Sequence, residues 1–312
     1  MKIWALAVVL VSIFGQSISA SDGKLLLVVS TDWEGRDLKL QNLAAMKNFR
    51  RDFPEVKIIQ FLNAAYFTKP DADATQVRSL MNSVLQPGDE LGLHIHGWKT
   101  LFEASNVTFR SSPTAWGNEL QNCDYDCGHE VAINAYTGPE MRKVIHYSVD
   151  TLNAQGFGRA TSFRAGAWMG DKQILDALTD EGFKMDSSEV PPELLQSAIE
   201  QYPFWSWIEN LWKGVDTSVQ PHVINTRSGS LLEVPDNGAL ADYMTSDQML
   251  EIFKSEAFAL ARDPSHDVYV QIGFHEETAA IYLPRVSAAI TAMKAEATRS
   301  TIPFAMASLP LH

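Results

Sequence analysis

Short apolar, β-branched runs alternate with longer segments of helical period along almost the whole of this 312-residue chain, and few architectures accept that rhythm. The runs are Lys24–Ser30, Val56–Leu62, Glu90–Leu93, Thr161–Phe163, Phe183–Met185, Leu231–Val234, Val268–Gly273 and Pro303–Ala307. Between them lie the helical stretches Leu38–Phe53, Ala74–Leu85, Pro139–Gln155, Lys172–Glu181, Ser246–Ala261 and Thr278–Thr298. Met249, Ile252, Phe253, Ala257 and Leu260 share one stripe of their helix. Leu283, Val286, Ile290 and Met293 do the same in the last one, so each buries one face. Pro284 marks either a kink in that last helix or its true start. Repeated β–α units imply a parallel sheet, and seven or eight strands favour a barrel over an open sheet. The expected fold class is α/β, a single barrel domain over residues 21–312. Two stretches break the rhythm, Gly97–Gly138 and Glu189–Ser230, and read as long loops over the C-terminal mouth.

Chemistry in parallel barrels gathers where the strands end. After the first run come Thr31-Asp32-Trp33-Glu34-Gly35, and after the second Asn63. The third ends in His94-Ile95-His96-Gly97-Trp98 and the fourth in Arg164-Ala165-Gly166-Ala167-Trp168. Asp186-Ser187-Ser188, Pro235-Asp236-Asn237-Gly238 and Phe274-His275-Glu276-Glu277 follow the fifth, sixth and seventh. Side chains two apart on an extended strand share a side, so Asp32 faces with Glu34 and His94 with His96. Two imidazoles and one or two carboxylates at a barrel mouth make a divalent-metal site that leaves a position for water. Each residue also has a plainer reading: a helix cap for Asp32 and Glu34, hydrogen-bonded structural histidines, an ion-pair partner for Arg164, a cap of the next helix for His275. His129, His146, His222, His266 and His312 read as structural or surface residues. The aromatic segment Tyr202–Trp212 suits either core packing or stacking on sugar faces.

The chain ends and the charge narrow the setting. Lys2, the apolar stretch Ile3–Phe14 and the small residues Gly15–Ala20 have the layout of a secretory signal peptide cleaved after Ala20, with a short membrane anchor as the other reading. About a dozen apolar residues fall short of the roughly 20 that span a bilayer, so an exported protein, periplasmic or secreted, is expected. The two cysteines, Cys123 and Cys127, would then form a disulfide. A metal site of Cys123, Cys127 and His129 is the alternative. A formal net charge of −13 argues against a nucleic-acid partner.

Taken in chain order, Thr31–Gly35, Glu90–Trp98, Phe163–Trp168, Asp186–Ser188, Leu232-Glu233-Val234-Pro235 and Phe274-His275 resemble the motif series of the polysaccharide deacetylase superfamily, the nodulation-type, family-four carbohydrate esterases. The resemblance runs from about Lys24 to His275. It implies a distorted (β/α)7-type barrel, one catalytic divalent metal ion, usually Zn2+, and hydrolysis of an N-acetyl group on a carbohydrate. It places Asp32 as catalytic base, Glu34 and His94 as metal ligands, Arg164 as the residue that orients the base, and His275 as catalytic acid. The pattern departs from the family in two places. The second carboxylate is Glu34 rather than aspartate, and Trp98 stands where the second metal histidine usually lies, leaving His96 as the available ligand. Asp32 and Glu34 could therefore exchange roles. Trp98, Trp168 and Asp186 are expected at the substrate. Hydrolysis of another carbon–nitrogen amide bond, or a non-catalytic carbohydrate-binding barrel, are the alternative functions.

Overall fold

The computed structural model describes residues 23–307 apart from 119, 121, 122 and 124. The segment read as a signal peptide lies outside the described residues. Strands β1 (Leu25–Asp32), β2 (Ile58–Asn63), β3 (Glu90–Ile95), β4 (Ser162–Ala165), β5 (Met185–Asp186), β7 (Ser230–Glu233) and β8 (Val268–His275) run parallel, in the order β7-β5-β4-β3-β2-β1-β8. This is the distorted (β/α) barrel the sequence implies, with short staves on one side. β6 (His222–Asn225) adds an antiparallel edge strand on β7. β9 (Phe304–Met306) lies on the lower half of β1, along Leu25–Leu27, while β2 pairs with its upper half, Val29–Asp32.

Closure of the barrel is irregular. β7 and β8 do not form a regular ladder. The segment after β7 bonds to β8 instead: Gly238 N–H donates to the Gln271 carbonyl at 2.8 Å, Gly273 N–H to Ala239 at 3.1 Å and Ala241 N–H to Gly273 at 2.8 Å. The run Pro235–Gly238, read from sequence as a simple strand end, is thus the start of the closing seam.

The period-2 rule explains the two cores. On β1, Leu25, Leu27 and Val29 face the outer helices and join the main apolar core. Val28 faces the other way and packs with Ile59, Phe61, Met185 and Val234 in a small separate cluster that fills the barrel interior. Above this apolar floor the inward positions turn polar: Ser30, Arg164, Ser187 and Gln271, all buried.

The helices α1 (Leu40–Asp52), α2 (Ala74–Asn82), α4 (Gly138–Ala154), α5 (Lys172–Asp180), α8 (Ser246–Arg262) and α9 (Ala279–Arg299) fall where helical periodicity put them. Thr137 with Glu140 and Thr245 with Gln248 form capping boxes that fix the starts of α4 and α8. Pro284 neither starts nor ends the last helix; it sits inside α9, which a short 3-10 turn at Glu276–Thr278 precedes. The two excursions are less irregular than expected. They contain α3 (Lys99–Ala104), α6 (Gln196–Ile199), α7 (Pro203–Leu211) and β6. Phe204 N–H donates to the Ala115 carbonyl at 3.1 Å and ties the two excursions together above the mouth. Cys123 and Cys127 form a disulfide in the first of them. Among the described residues no helix is long and apolar enough to cross a membrane.

Candidate metal and hydrolytic site

Strand register brings the site together before any side chain is considered. Asp32 on β1 stands level with His275 on β8, and His94 on β3 stands level with Asn63 and Arg164 on its two neighbours. Trp33 turns the other way, donating its indole N–H to Gln60 at 2.8 Å, which leaves Asp32 and Glu34 facing the mouth.

Glu34 is the hub. Its Oε2 lies 2.7 Å from His96 Nε2 and 2.5 Å from His129 Nε2. Its Oε1 lies 3.4 Å from His94 Nε2 and 3.6 Å from His275 Nε2. Burial alone would raise the carboxyl pKa. The charges of the His96 and His275 imidazoles, with the His129 and His94 rings beside the carboxylate, outweigh it and hold Glu34 well below the usual carboxylate range.

The histidine tautomers decide what this hub is suited to hold. His94 donates its Nδ1 proton to the Arg164 carbonyl at 2.8 Å, and His96 donates its own to the His129 carbonyl at 2.8 Å. A neutral His94 therefore presents an Nε2 lone pair toward the carboxylate, acceptor against acceptor, while His96, whose pKa burial lowers but the Glu34 carboxylate raises more, carries on Nε2 a proton that an ion would displace. Neither Glu34 Oε1 nor His94 Nε2 has a hydrogen-bond partner, though both are buried. A cation between them satisfies all these atoms at once, and backbone-anchored Nδ1 is the usual outer support of a metal-bound histidine. Glu34, His94 and His96 form one set of converging ligand atoms. Asp32, Glu34 and His275 form a second, and Glu34, His129 and Glu277 a third. Gly166 makes room for this arrangement, since a Cβ there would overlap the Ile95 carbonyl and the His96 ring.

Two further pairs flank the hub. Arg164 is fully buried. It donates to Asp32 Oδ1 at 3.1 Å, to the Ser30 hydroxyl at 3.0 Å, and to the Ser187 carbonyl and hydroxyl at 2.9 and 2.8 Å, with its guanidinium over the Phe61 ring. His275 Nδ1 lies 3.0 Å from Asp242, which also accepts a hydrogen bond from the Thr278 hydroxyl at 2.7 Å. Burial would lower the His275 pKa, but the Asp242 and Glu34 carboxylates prevail and raise it well above the usual imidazole range.

A cleft of about 220 Å³ opens over these groups. Its polar floor is Asp32, Glu34, His94, His96, His129 and His275; its wall includes Ala167, Trp168, Tyr243, Phe204 and Trp116. Of the residues expected at the substrate, Trp168 lines this cleft, its indole N–H held by Asp236 at 3.0 Å. Trp98 and Asp186 do not. Trp98 is buried under the Lys69 ammonium, 3.3 Å from its ring centroid, and donates its indole N–H to the Glu34 carbonyl at 2.8 Å. Its polar edge and its apolar face are both used inside the protein.

Asp186 is fully buried behind the mouth. Burial pushes its carboxyl up to about 6, and burial with the Asp186 charge pushes Glu233 well above its usual value. Asp186 Oδ2 and Glu233 Oε2 have no other partner, so a proton held on Glu233 joins them. A carboxyl whose folded pKa is raised contributes stability fully below its unfolded pKa and loses it as pH rises through the folded value. Stability should therefore begin to fall above about pH 4, the ordinary carboxyl value, and keep falling through the higher folded values of the pair. The slope should be ~1.4 kcal/mol per pH unit for each proton that the folded pair keeps and the unfolded chain has lost. Glu233→Gln should flatten that fall in thermal denaturation curves; parallel curves for both proteins would mean the two carboxyls share no proton.

Of the two readings left open for His129, structural or surface, the structural one holds. The residue is not at the surface: its ring stacks on His96 with centroids 4.0 Å apart and bonds Glu34, and it has nothing to do with a cysteine-based site. Burial, then repulsion by His96, pushes its pKa down to about 3, so it is neutral and its Nε2–H donates to Glu34. Asp242 and Tyr243 were also missed. They lie a few residues beyond Asp236, on the closing seam that no periodicity marks.

No protein-family model matches the chain, and no curated protein matches it in sequence. Solved structures do resemble it. A Mycobacterium smegmatis protein assigned as a polysaccharide deacetylase aligns over 94% of this chain and 96% of its own, at 14% identity and a TM-score of 0.50. A family 4 carbohydrate esterase from Streptomyces lividans aligns over 92% and 94%, at 10% identity and a TM-score of 0.41. A PuuE allantoinase aligns over 93% and 89%, at 11% identity and a TM-score of 0.49. Of the three, the first shows the fold: the chain shares its distorted (β/α) barrel with that structure.

Proposed function

We propose that this chain is a metal-dependent hydrolase that removes an N-acetyl group from a carbohydrate. The observation behind this reading is the pair of Nδ1-anchored histidines, His94 and His96, whose Nε2 atoms converge on the buried Glu34 carboxylate. Glu34, His94 and His96 would hold the ion, and this nitrogen-and-carboxylate set suits Zn2+. When bound, the ion would polarise the acetyl carbonyl and lower the pKa of a water at the site. Asp32, at the edge of the same cleft, takes the proton from the attacking water, with Arg164 fixing its orientation. His275 carries a proton under the influence of Asp242 and delivers it to the leaving nitrogen. Trp168, Tyr243 and Ala167 offer an apolar wall for the acyl methyl group and the sugar ring. The reading places the protein outside the cytoplasm after loss of residues 1–20, which the Cys123–Cys127 disulfide supports.

The test is acetate release from a panel of N-acetylated glycans by zinc-loaded protein, with metal content measured on the same samples. Wild type should bind one ion per chain and release acetate, and His94→Ala should do neither. An ion bound at full stoichiometry without acetate from any glycan would remove the deacetylase reading. Failure of wild type to retain any divalent ion would remove the metal centre itself.

A further inference from the structure

Resting on that metal reading, we infer that His129 is the positioning residue of the centre, holding two of its three ligands, Glu34 and His96. Three separate contacts converge on it. Its Nε2–H donates to Glu34 Oε2 at 2.5 Å, its backbone carbonyl accepts the Nδ1 proton of His96 at 2.8 Å, and its ring lies over the His96 ring at an interplanar angle of 14°. One residue thereby sets the rotation of the carboxylate, the tautomer of one imidazole and the plane of that imidazole. The set of converging atoms formed by Glu34, His94 and His96 does not include His129, which falls in another set with Glu34 and Glu277.

Asp32 is paired with Arg164, Asp242 with His275 and Glu277 with Arg36, whereas Glu34 is surrounded by histidines alone, His94, His96, His129 and His275.

The chain has built features that deliver His129. Gly128 takes a φ of +100°, and a Cβ on it would overlap the Gly97 carbonyl, so the two segments cross at backbone contact beside His96. Lys99 N–H donates to the Cys127 carbonyl at 2.8 Å. Asp126 accepts from Thr100 N–H at 3.1 Å and from the buried Lys69 ammonium at 2.6 Å. The disulfide closes the same turn. An excursion with no strand among its described residues is thus pinned at several points within a few residues of the ring.

Zinc affinity of the full chain, measured by competition with a chromophoric chelator, tests this for wild type, His129→Ala and His129→Gln. The visible spectrum of each cobalt-substituted form reports ligand geometry. His129→Ala should bind zinc about 10–100-fold more weakly, as loss of an outer support does, with an altered cobalt spectrum. His129→Gln, whose amide N–H can reach Glu34 Oε2, should recover most of the affinity and the wild-type spectrum. All three should hold one ion per chain. Wild-type affinity in His129→Ala, or equal losses in both variants, would overturn the assignment. Two ions in wild type falling to one in the variants would make His129 a ligand in its own right and overturn it as well. Wild type that binds no ion would bring down the metal reading and this inference together.

Discussion

Arg164→Met should cost the fold about 3–5 kcal/mol, the range for breaking a buried ion pair from one side. The guanidinium is fully buried, and it is the shared donor to Asp32, Ser30 and Ser187, with Asp236 3.5 Å away. Methionine fills the volume but leaves two buried carboxylates facing each other without a countercharge. Burial already pushes the Asp236 pKa up, with Arg164 opposing that rise and Asp32 adding to it. Urea denaturation of metal-free protein reads the cost directly. A loss under ~1 kcal/mol would mean the polar layer above the Val28–Phe61 floor is wetter than its burial implies. Arg164→Lys should recover only part of the loss, because one ammonium cannot span Ser30, Asp32 and Ser187 in the planar fork that arginine presents.

The second large effect concerns chemistry. Asp32→Asn should lower the rate of acetate release by about 10²–10⁴-fold, the usual contribution of a positioned general base, while zinc affinity stays near wild type. The two halves of that result answer different questions. Asp32 and Glu34 both belong to a set of converging ligand atoms with His275. If Asp32→Asn lost zinc as severely as His94→Ala, Asp32 would be a ligand, and Glu34 would be free to act as base. Amide for carboxylate keeps the shape and the acceptor for Arg164, so the variant tests charge and proton transfer rather than packing.

Much of this centre can be read from the amino-acid order because strands are periodic. Asp32 and Glu34, or His94 and His96, face one way because side chains alternate along extended backbone, and Arg164 and His275 follow because each ends a run that pairs with its neighbours. The outer helices are legible for the same reason at a different period. His129 was not legible. It lies in an excursion whose path is set by a glycine crossing, a disulfide and a buried lysine, none of which has a repeat to read. Trp98 shows the opposite error: an aromatic at a strand end invites a role at the ligand, but the Glu34 carbonyl and the Lys69 ammonium had already taken its edge and its face. Asp242 was hidden by coil. It stands at the end of a segment that pairs with β8 without adopting strand geometry.

That coil closure has a consequence for how such a barrel changes over generations. The parallel staves are locked to one another by register, and a residue inserted in any of them would turn a whole row of side chains inside out. The stretch around 239–245 is exempt, because a few main-chain bonds rather than a ladder hold it against β8. It carries Asp242, which pairs with His275, and Tyr243, which lines the cleft. The wall of the cleft can therefore be varied by rewriting one short hinge of the cask, with the rest of its timber left as it was.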